Sequence, residues 1–500
     1  MIELRDSNLV GLGDAIQLPK YDRSGLTAGI VHIGVGSFHR AHQAMIIDDL
    51  LNQGLARDWA ICGVGVMPSD AAMRDALTVQ DGLYTLVMKH PDGRLEARVV
   101  GSIIEYLYAP DDVEAVIERM AEPAIRVVSL TVTEGGYNIH PVTGEFDLSN
   151  PEVHADLARG AVPTTIFGIT VEALRRRRDR GITPFTIMSC DNLQENGLVA
   201  HRTFVAFATS KDAELGRWID SEVRFPNSMV DRITPVTTND DRAQIAEFFG
   251  ISDRWPVVCE PFFQWVLEDS FSDGRPPYES SLTQLVSDVS PYELMKLRLL
   301  NASHQGLCYF GHLMGYRLVH DAAADPLISD FLRVYMDREA TPTLQPVPGV
   351  DLDGYKSELI ERFSNPGVRD TVARLCNESS DRIPKWLLPV VHEQLAADGQ
   401  VEMSAAIVAS WARYAEGVDE QGEPIDVADR IRERVMASAA EYPRDRHSFL
   451  RDRDIFGDLI DDARFVAAYD RALDLLHRVG ARRTLSVLLG REPEPDVAGM

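Results

Sequence analysis

Residues 29–43 read GIVHIGVGSFHRAHQ, a short apolar run that breaks into glycines and then into a helix-compatible stretch. The continuation, AMIIDDLLNQG, keeps its apolar residues at helical spacing and stops at Gly54, and residues 59–66 (WAICGVGV) form a second apolar run. Strand, glycine turn, helix and strand in that order make a βαβ unit, which requires a parallel sheet. Gly34-Val35-Gly36 lies at the strand-to-helix turn, where two glycines let the backbone turn tightly and approach a pyrophosphate at a helix N-terminus. His39 stands where the full fingerprint has its third glycine. Any buried strand ending in a tight turn could carry the shorter G-x-G, and the flanking βαβ pattern is what points to a dinucleotide.

The acidic residue that would bind the adenosine ribose falls after the second strand, usually about 20 residues on. Asp70 is the candidate, at a longer spacing, with a simple loop aspartate as the alternative. On the ribose its charge would repel a 2′-phosphate and favour NAD over NADP. His39 and His42 are three apart, a metal-like spacing. No third ligand is near them in the sequence, so a helix-surface or cofactor contact fits better and no metal is expected.

Outward from this unit the alternation continues. Residues 111–120 read as a helix and 125–133 as a strand stopped by Glu134-Gly135-Gly136. Another helix lies within 163–180, and a strand over 184–188 runs into Ser-Cys-Asp-Asn192. After an apolar run at 255–260 and aromatic residues at 262–265, the grammar changes at about residue 285. From there amphipathic windows follow one another at 291–315, 325–338, 384–397, 401–415, 426–441 and 464–478. The expected class is α/β: a Rossmann-type parallel-sheet N-terminal domain over 1–285, then a mostly α-helical C-terminal domain over 286–500.

The composition bounds the partners. Fifty Lys and Arg against 77 Asp and Glu give a net charge of −27, which repels phosphate backbones and anionic lipid, so neither nucleic acid nor a membrane surface is an expected partner. The basic run Arg175–Arg178 sits late in a helix-like stretch and reads as a solvated face at a negative helix end. Five dispersed cysteines without a C-x-x-C pair fit reduced thiols. The first residues lack a signal-peptide pattern and no 18-residue apolar run occurs, so a soluble, cytoplasmic protein is expected.

Ser290-Pro291-Tyr292-Glu293 has the form of a capping box with proline at the first helical position. Beyond it, at about 100° per residue, Glu293, Lys296, Asn301 and His304 share one broad face of an otherwise apolar helix. A buried lysine gives up its proton easily, asparagine can donate to a developing oxyanion, and histidine can bind a hydroxyl. The alternative is structural: Glu293 caps, Lys296 snorkels to water and His304 is a satisfied core histidine.

Six ordered motifs narrow this further: IGVGSFHRAHQ (33–43), LTVTEGGY (130–137), MSCDNLQENG (188–197), FPNSMVDRITP (225–235), CEPFFQWVLED (259–269) and YELMKLRLLNASH (292–304). With them the chain resembles the polyol-specific long-chain dehydrogenases from about residue 10 to about residue 480, and is most like their mannitol-oxidising members. The resemblance implies metal-independent hydride transfer between NAD and a secondary alcohol, D-mannitol to D-fructose, with D-arabinitol or D-sorbitol as further polyols. It places the active site between a Rossmann-type and a helical domain.

By the same likeness Lys296 is the general base, and Asn301 and Asn192 bind the developing oxygen. His304, Asp231 and Arg374 hold substrate. Glu293 passes the lysine's proton to solvent, in competition with capping. Gly34, Val35, Gly36, Ser37, Phe38, His39, Arg40 and Asp70 contact NAD. Arg382 stands at a further substrate-binding position, where the mannitol enzymes typically have lysine, and Ser69 where they can have a second acid beside Asp70. A monomer is implied. A hexuronate reductase of the same family would need an extra cation for the substrate carboxylate, which Arg382 could supply. A non-catalytic NAD(H)-sensing regulator would have no need of Lys296, Asn192, Asn301 and His304 together.

Overall fold

The computed structural model describes residues 1–13, 15–140 and 144–494. The chain divides into two compact units, Met1–Ser290 and Pro291–Met500.

In the first unit a five-stranded parallel sheet is built from β1 (Ala28–Ile33), β2 (Ala60–Gly65), β3 (Ile103–Tyr108), β4 (Val127–Leu130) and β5 (Thr186–Ser189). The order is β3-β2-β1-β4-β5, with Ile33 paired to Val64 on one side and to Leu130 on the other. Order therefore reverses at β1, whose C-terminal end is the Gly34–Gly36 turn, and crevices at such switch points are where open α/β sheets bind ligands. Every residue of β1 and β2 is buried. Alternation sends Val31, Ile33, Val128 and Leu130 into one core and Ile30, Ile61 and Val127 into the other, which is why these strands read as continuous apolar runs.

Besides a two-residue pairing of Ile2–Glu3 with Ile251–Ser252, two smaller sheets complete the unit. One pairs Val257–Cys259, Tyr84–Lys89, Leu95–Val100 and Ile16–Gln17. The other pairs Ser228–Asp231, Gln264–Glu268 and Thr283–Val286.

The expected helix after the glycine turn is two helices, Ser37–Ala41 and Gln43–Asn52, because the backbone breaks at His42 (φ −124°, ψ −100°). The basic run is also not one solvated face. Arg175 and Arg176 pair with Glu172 and Arg176 also with Glu114, but Arg177 is fully buried. It donates to the carbonyls of Thr183, Met120, Glu122 and Ile125, so this arginine ties a helix end to the neighbouring loops.

The second unit is helical. Its centre is Ala302–Leu313, in which every residue except His304 is buried, as expected of a helix apolar almost all round. Around it pack Pro326–Tyr335, Val372–Cys376, Glu402–Ala415 and Ala463–Leu488. The window at 384–397 is two helices, Ser379–Trp386 and Leu388–Ala396, and that at 426–441 starts only at Arg432. Among the described residues no helix is long and apolar enough to cross a membrane.

Candidate active site

The first unit supplies the glycine turn. Gly34 has φ +90°, and a Cβ there would lie 2.3 Å from the Thr131 carbonyl oxygen, so only glycine fits where β1 leaves the sheet. Gly36 precedes the helix Ser37–Ala41, and Arg40 reaches back from it, its Nε donating to the Gly36 carbonyl at 3.2 Å. The Arg40 guanidinium is buried, stacks 5.2 Å from the Tyr84 ring centre and bonds the Trp255 carbonyl, while its Nη2 has no hydrogen-bond partner. Burial brings its pKa down to about 10.

The missing third glycine has a structural counterpart. That glycine normally permits close helix–strand packing. Here the helix is short and broken, and the His39 ring fills the space by stacking on His32 of β1, centroids 3.3 Å apart. Both imidazoles are buried; burial takes His32 to about 3 and His39 well below its ordinary value, so both are neutral. His32 bonds Ser129 and Thr131 through its two nitrogens, whereas those of His39 have no partner. Among the described residues no group of three or more His, Cys, Asp or Glu side chains could hold a metal ion.

Asp70 lies just beyond β2, and its Oδ2 accepts the backbone N–H groups of Val66 and Met67, both at 2.9 Å. It therefore shapes the turn at the strand end, more than a solubilising loop residue would. A turn only glycine can make at the switch point, an arginine N–H without a partner behind it and an acid closing the second strand together fit a dinucleotide.

At the end of β5, Asn192 follows Asp191, a residue the sequence reading passed over. The Asp191 carboxylate accepts from the Val132 and Thr133 N–H groups and the Tyr137 hydroxyl, and so holds Thr133 in the left-handed region (φ 64°). Burial raises its pKa against those donors. Asn196 then donates to the Asp191 carbonyl at 3.0 Å and to the Ser228 carbonyl at 2.7 Å, tying this loop to the strand Ser228–Asp231, which ends in buried Asp231. The position of Asp191, next to Asn192 at a strand C-terminus, was the available signal. Cys190 is buried, and burial first and Asp191 second push its thiol up, which makes it inert.

The second unit carries the lysine face. Lys296–Asn301 is a π-helical segment joining the α-helical Ser290–Met295 to Ala302–Leu313, and it closes with Ala302 N–H donating to the Leu297 carbonyl, five residues back. This corrects the spacing argument above. In a regular α-helix Asn301 would lie about 140° from Lys296, whereas the wider π turn brings residues five apart nearly onto one line.

Lys296, Glu293 and Asn301 are buried, at 8%, 6% and 4% exposure. The Asn301 Nδ2 has no hydrogen-bond partner, an uncommon condition for a buried amide. His304, half-buried, is the one outward residue of its helix, and its ring lies 4.5 Å from that of Phe363.

Arg374 sits on Val372–Cys376, a short helix packed against Ala302–Leu313. Asp370 grips it, accepting from Nε at 2.6 Å and also from Nη2, and so raises the pKa of the guanidinium. Arg382 turns its Nη1 onto the carbonyls of Arg374 (3.2 Å) and Leu375 (3.0 Å), and Gln305 donates to the same Leu375 carbonyl at 3.4 Å. The helix bearing His304 and the segment bearing both arginines are thus bonded together. Asp370 was not legible as a partner, because i,i+4 acid–base pairs are common on surfaces.

Comparison with known proteins settles the family. Residues 28–280 match the mannitol dehydrogenase Rossmann domain and residues 288–477 the mannitol dehydrogenase C-terminal domain. The chain belongs to the mannitol dehydrogenase family. It is 46% identical over 489 residues to mannitol 2-dehydrogenase of Phaeosphaeria nodorum, covering 97% of this chain and 85% of the relative. A mannitol dehydrogenase of Saccharomyces cerevisiae is 45% identical, with 97% of each chain covered.

Among solved structures, Pseudomonas fluorescens mannitol 2-dehydrogenase, in a ternary complex with NAD and D-mannitol, superposes with a TM-score of 0.88 at 44% identity, over 98% of this chain and 100% of that one. A substrate-free D-sorbitol dehydrogenase gives a TM-score of 0.89 at 38% identity, over 97% of this chain and 100% of that one.

Proposed function

We propose that this member of the family is an NAD-dependent polyol 2-dehydrogenase that oxidises D-mannitol to D-fructose, with Lys296 as the general base. Full-length similarity to mannitol dehydrogenases supports the activity and the cofactor. The observation that carries the site is the buried Lys296 amine on the wide-turn face that also presents the unpartnered Asn301 amide. NAD, when bound, takes up the hydride released from the carbinol carbon.

The chain's own residues manage the proton and the oxygen. The substrate hydroxyl passes its proton to the Lys296 amine, which acts as the general base. As negative charge grows on the oxygen, Asn301 Nδ2 donates to it, satisfying a donor that folding leaves unpaired. Asn192 supplies a second amide, His304 and Asp231 bind neighbouring hydroxyls, and Glu293 carries the lysine's proton onward. Gly34, Val35, Gly36, Ser37, Phe38, His39, Arg40 and Asp70 hold the cofactor.

Arg374 and Arg382 favour a polyol over a hexuronate. Asp370 already pairs with Arg374, and Nη1 of Arg382 is engaged with backbone carbonyls, which supports a neutral polyol over a substrate carboxylate. The enzyme acts as a monomer in the cytoplasm, which light scattering and cell fractionation check.

The test compares Lys296→Ala with the wild type in NADH formation from mannitol and in fructose reduction. Turnover near neutral pH is lost and NADH affinity is unchanged. A variant with intact turnover removes Lys296 from the base role, and wild-type activity on fructuronate alone removes the polyol assignment.

A further inference from the structure

The π turn at Lys296–Asn301 is an uncommon conformation, and the structure shows how it is gripped. Tyr335, the last residue of the helix Pro326–Tyr335, donates its hydroxyl to the Arg298 carbonyl inside the turn, at 3.1 Å. The Arg298 side chain, itself buried, forks onto Glu393 through Nη1 (2.8 Å) and Nη2 (2.6 Å), and Nη1 also bonds the Thr343 carbonyl at 2.6 Å.

A second π turn, Met336–Ala340, starts directly after Tyr335 and packs against the first, closing with Thr341 N–H on the Met336 carbonyl. Gln394, next to Glu393, donates to the carbonyls of Arg338 and Glu339 in that second turn, at 3.3 and 2.6 Å. Consecutive residues of the helix Leu388–Ala396 thus hold both wide turns, one through Arg298 and one directly.

We propose that Tyr335 and Arg298, the latter anchored on Glu393, are positioning residues that keep the π turn in the register bringing Lys296 and Asn301 onto one face. The proposal rests on the assignment of those two residues to the chemistry above. Both braces act through the turn and not on the substrate. A carbonyl has two lone pairs, so the Tyr335 bond adds to the helical pattern without replacing any of it. The buried phenol stays protonated and remains a donor at any working pH. Without it the turn relaxes toward a regular α-helix, which swings Asn301 away from the amine.

The experiment uses the full-length enzyme with Tyr335→Phe, Arg298→Lys and Arg298→Met, beside Lys296→Ala and Asn301→Ala. Tyr335→Phe is expected to fold, to keep the NADH Kd within about twofold, and to lose roughly 10- to 100-fold in kcat with mannitol, the scale of a misplaced reacting group. The deuterium isotope effect on kcat, read with mannitol deuterated at the reacting carbon, rises, and the pH profile of kcat shifts. Arg298→Lys, which keeps the charge but loses the fork, retains more activity than Arg298→Met.

A Tyr335→Phe enzyme with the wild-type kcat, isotope effect and pH profile, while Lys296→Ala and Asn301→Ala are inactive, overturns the brace and leaves the catalytic assignment standing. Losses in Tyr335→Phe that track only unfolding or weakened NADH binding also overturn it. Full activity in Lys296→Ala and Asn301→Ala overturns the assignment and the brace with it.

Discussion

Replacing Asn301 by alanine separates two quantities that usually move together. The side chain is 4% exposed and its Nδ2 has no hydrogen-bond partner in the folded protein. A buried donor left unpaired costs about 1–3 kcal/mol, and truncation to alanine removes that penalty. It also leaves a small void, whose cost is of similar size and opposite sign. Thermal stability is therefore expected to change by no more than about 5 °C.

In the proposed role of donor to a developing alkoxide, the same amide is worth about 10²–10³ in kcat, or about 2.7–4 kcal/mol, by analogy with single oxyanion donors. The assay is steady-state NADH formation from mannitol at saturating NAD, with the NADH Kd and a melting curve for each protein. Asn301→Asp is the companion variant. It keeps the shape, offers acceptors in place of the donor and adds charge of the wrong sign, so it is expected to be at least as slow as the alanine variant. A kcat for Asn301→Ala within threefold of wild type would refute the oxyanion role, as would a loss explained wholly by a fall in melting temperature.

Two further outcomes follow from the structure. Asp70→Asn keeps an acceptor for the Val66 and Met67 N–H groups but removes the charge. The ratio of kcat/KM for NADP over NAD is expected to rise about tenfold, equivalent to about 1.4 kcal/mol; an unchanged ratio would place Asp70 away from the ribose. Glu339, buried at the start of the helix Glu402–Ala415, accepts from the Met403 and Ser404 N–H groups, yet burial raises its pKa from 4.5 to about 7. The folded state holds this proton where the unfolded chain has released it. Stability therefore falls as pH rises from about 4.5 to 7, by at most about 3 kcal/mol. Glu339→Gln should flatten that part of a melting-temperature profile, and an unchanged slope would assign it to other groups.

Much of the first unit was legible because its information is local. Two strands buried on both faces give apolar runs, a tight turn demands glycine, and the Gly34–Gly36 turn falls where the sheet order reverses. The smaller sheets were not legible, since Tyr84–Lys89 pairs with Val257–Cys259 far along the chain and neither segment carries its partner's address. Arg177 was misread for a related reason: a cation in a basic run looks solvated until the loops whose carbonyls it bonds fold over it.

At the site, residue types pointed to Lys296, Asn301 and His304, but their angular relation did not emerge from regular helix spacing. A π turn has no composition of its own and depends on distant groups such as Tyr335 and Glu393. Arg382 likewise carried no sign that it would turn inward to the carbonyls of Arg374 and Leu375.

The wide turn also sets what the helix bearing Lys296 and Asn301 can tolerate over generations of mutation. A π turn amounts to one residue more than a regular helix would need between the same two ends. Deleting Leu299 or Leu300 would let a regular helix join those same ends, with Lys296 and Asn301 then four apart and about 40° from each other. An inserted residue has no such relief, because the turn is already wide, and would swing Asn301 by about 100° from the amine. The segment therefore tolerates a change of length in one direction only: a frame-preserving loss of one codon there should spare the shared face, whereas the gain of one should end the activity while sparing the fold.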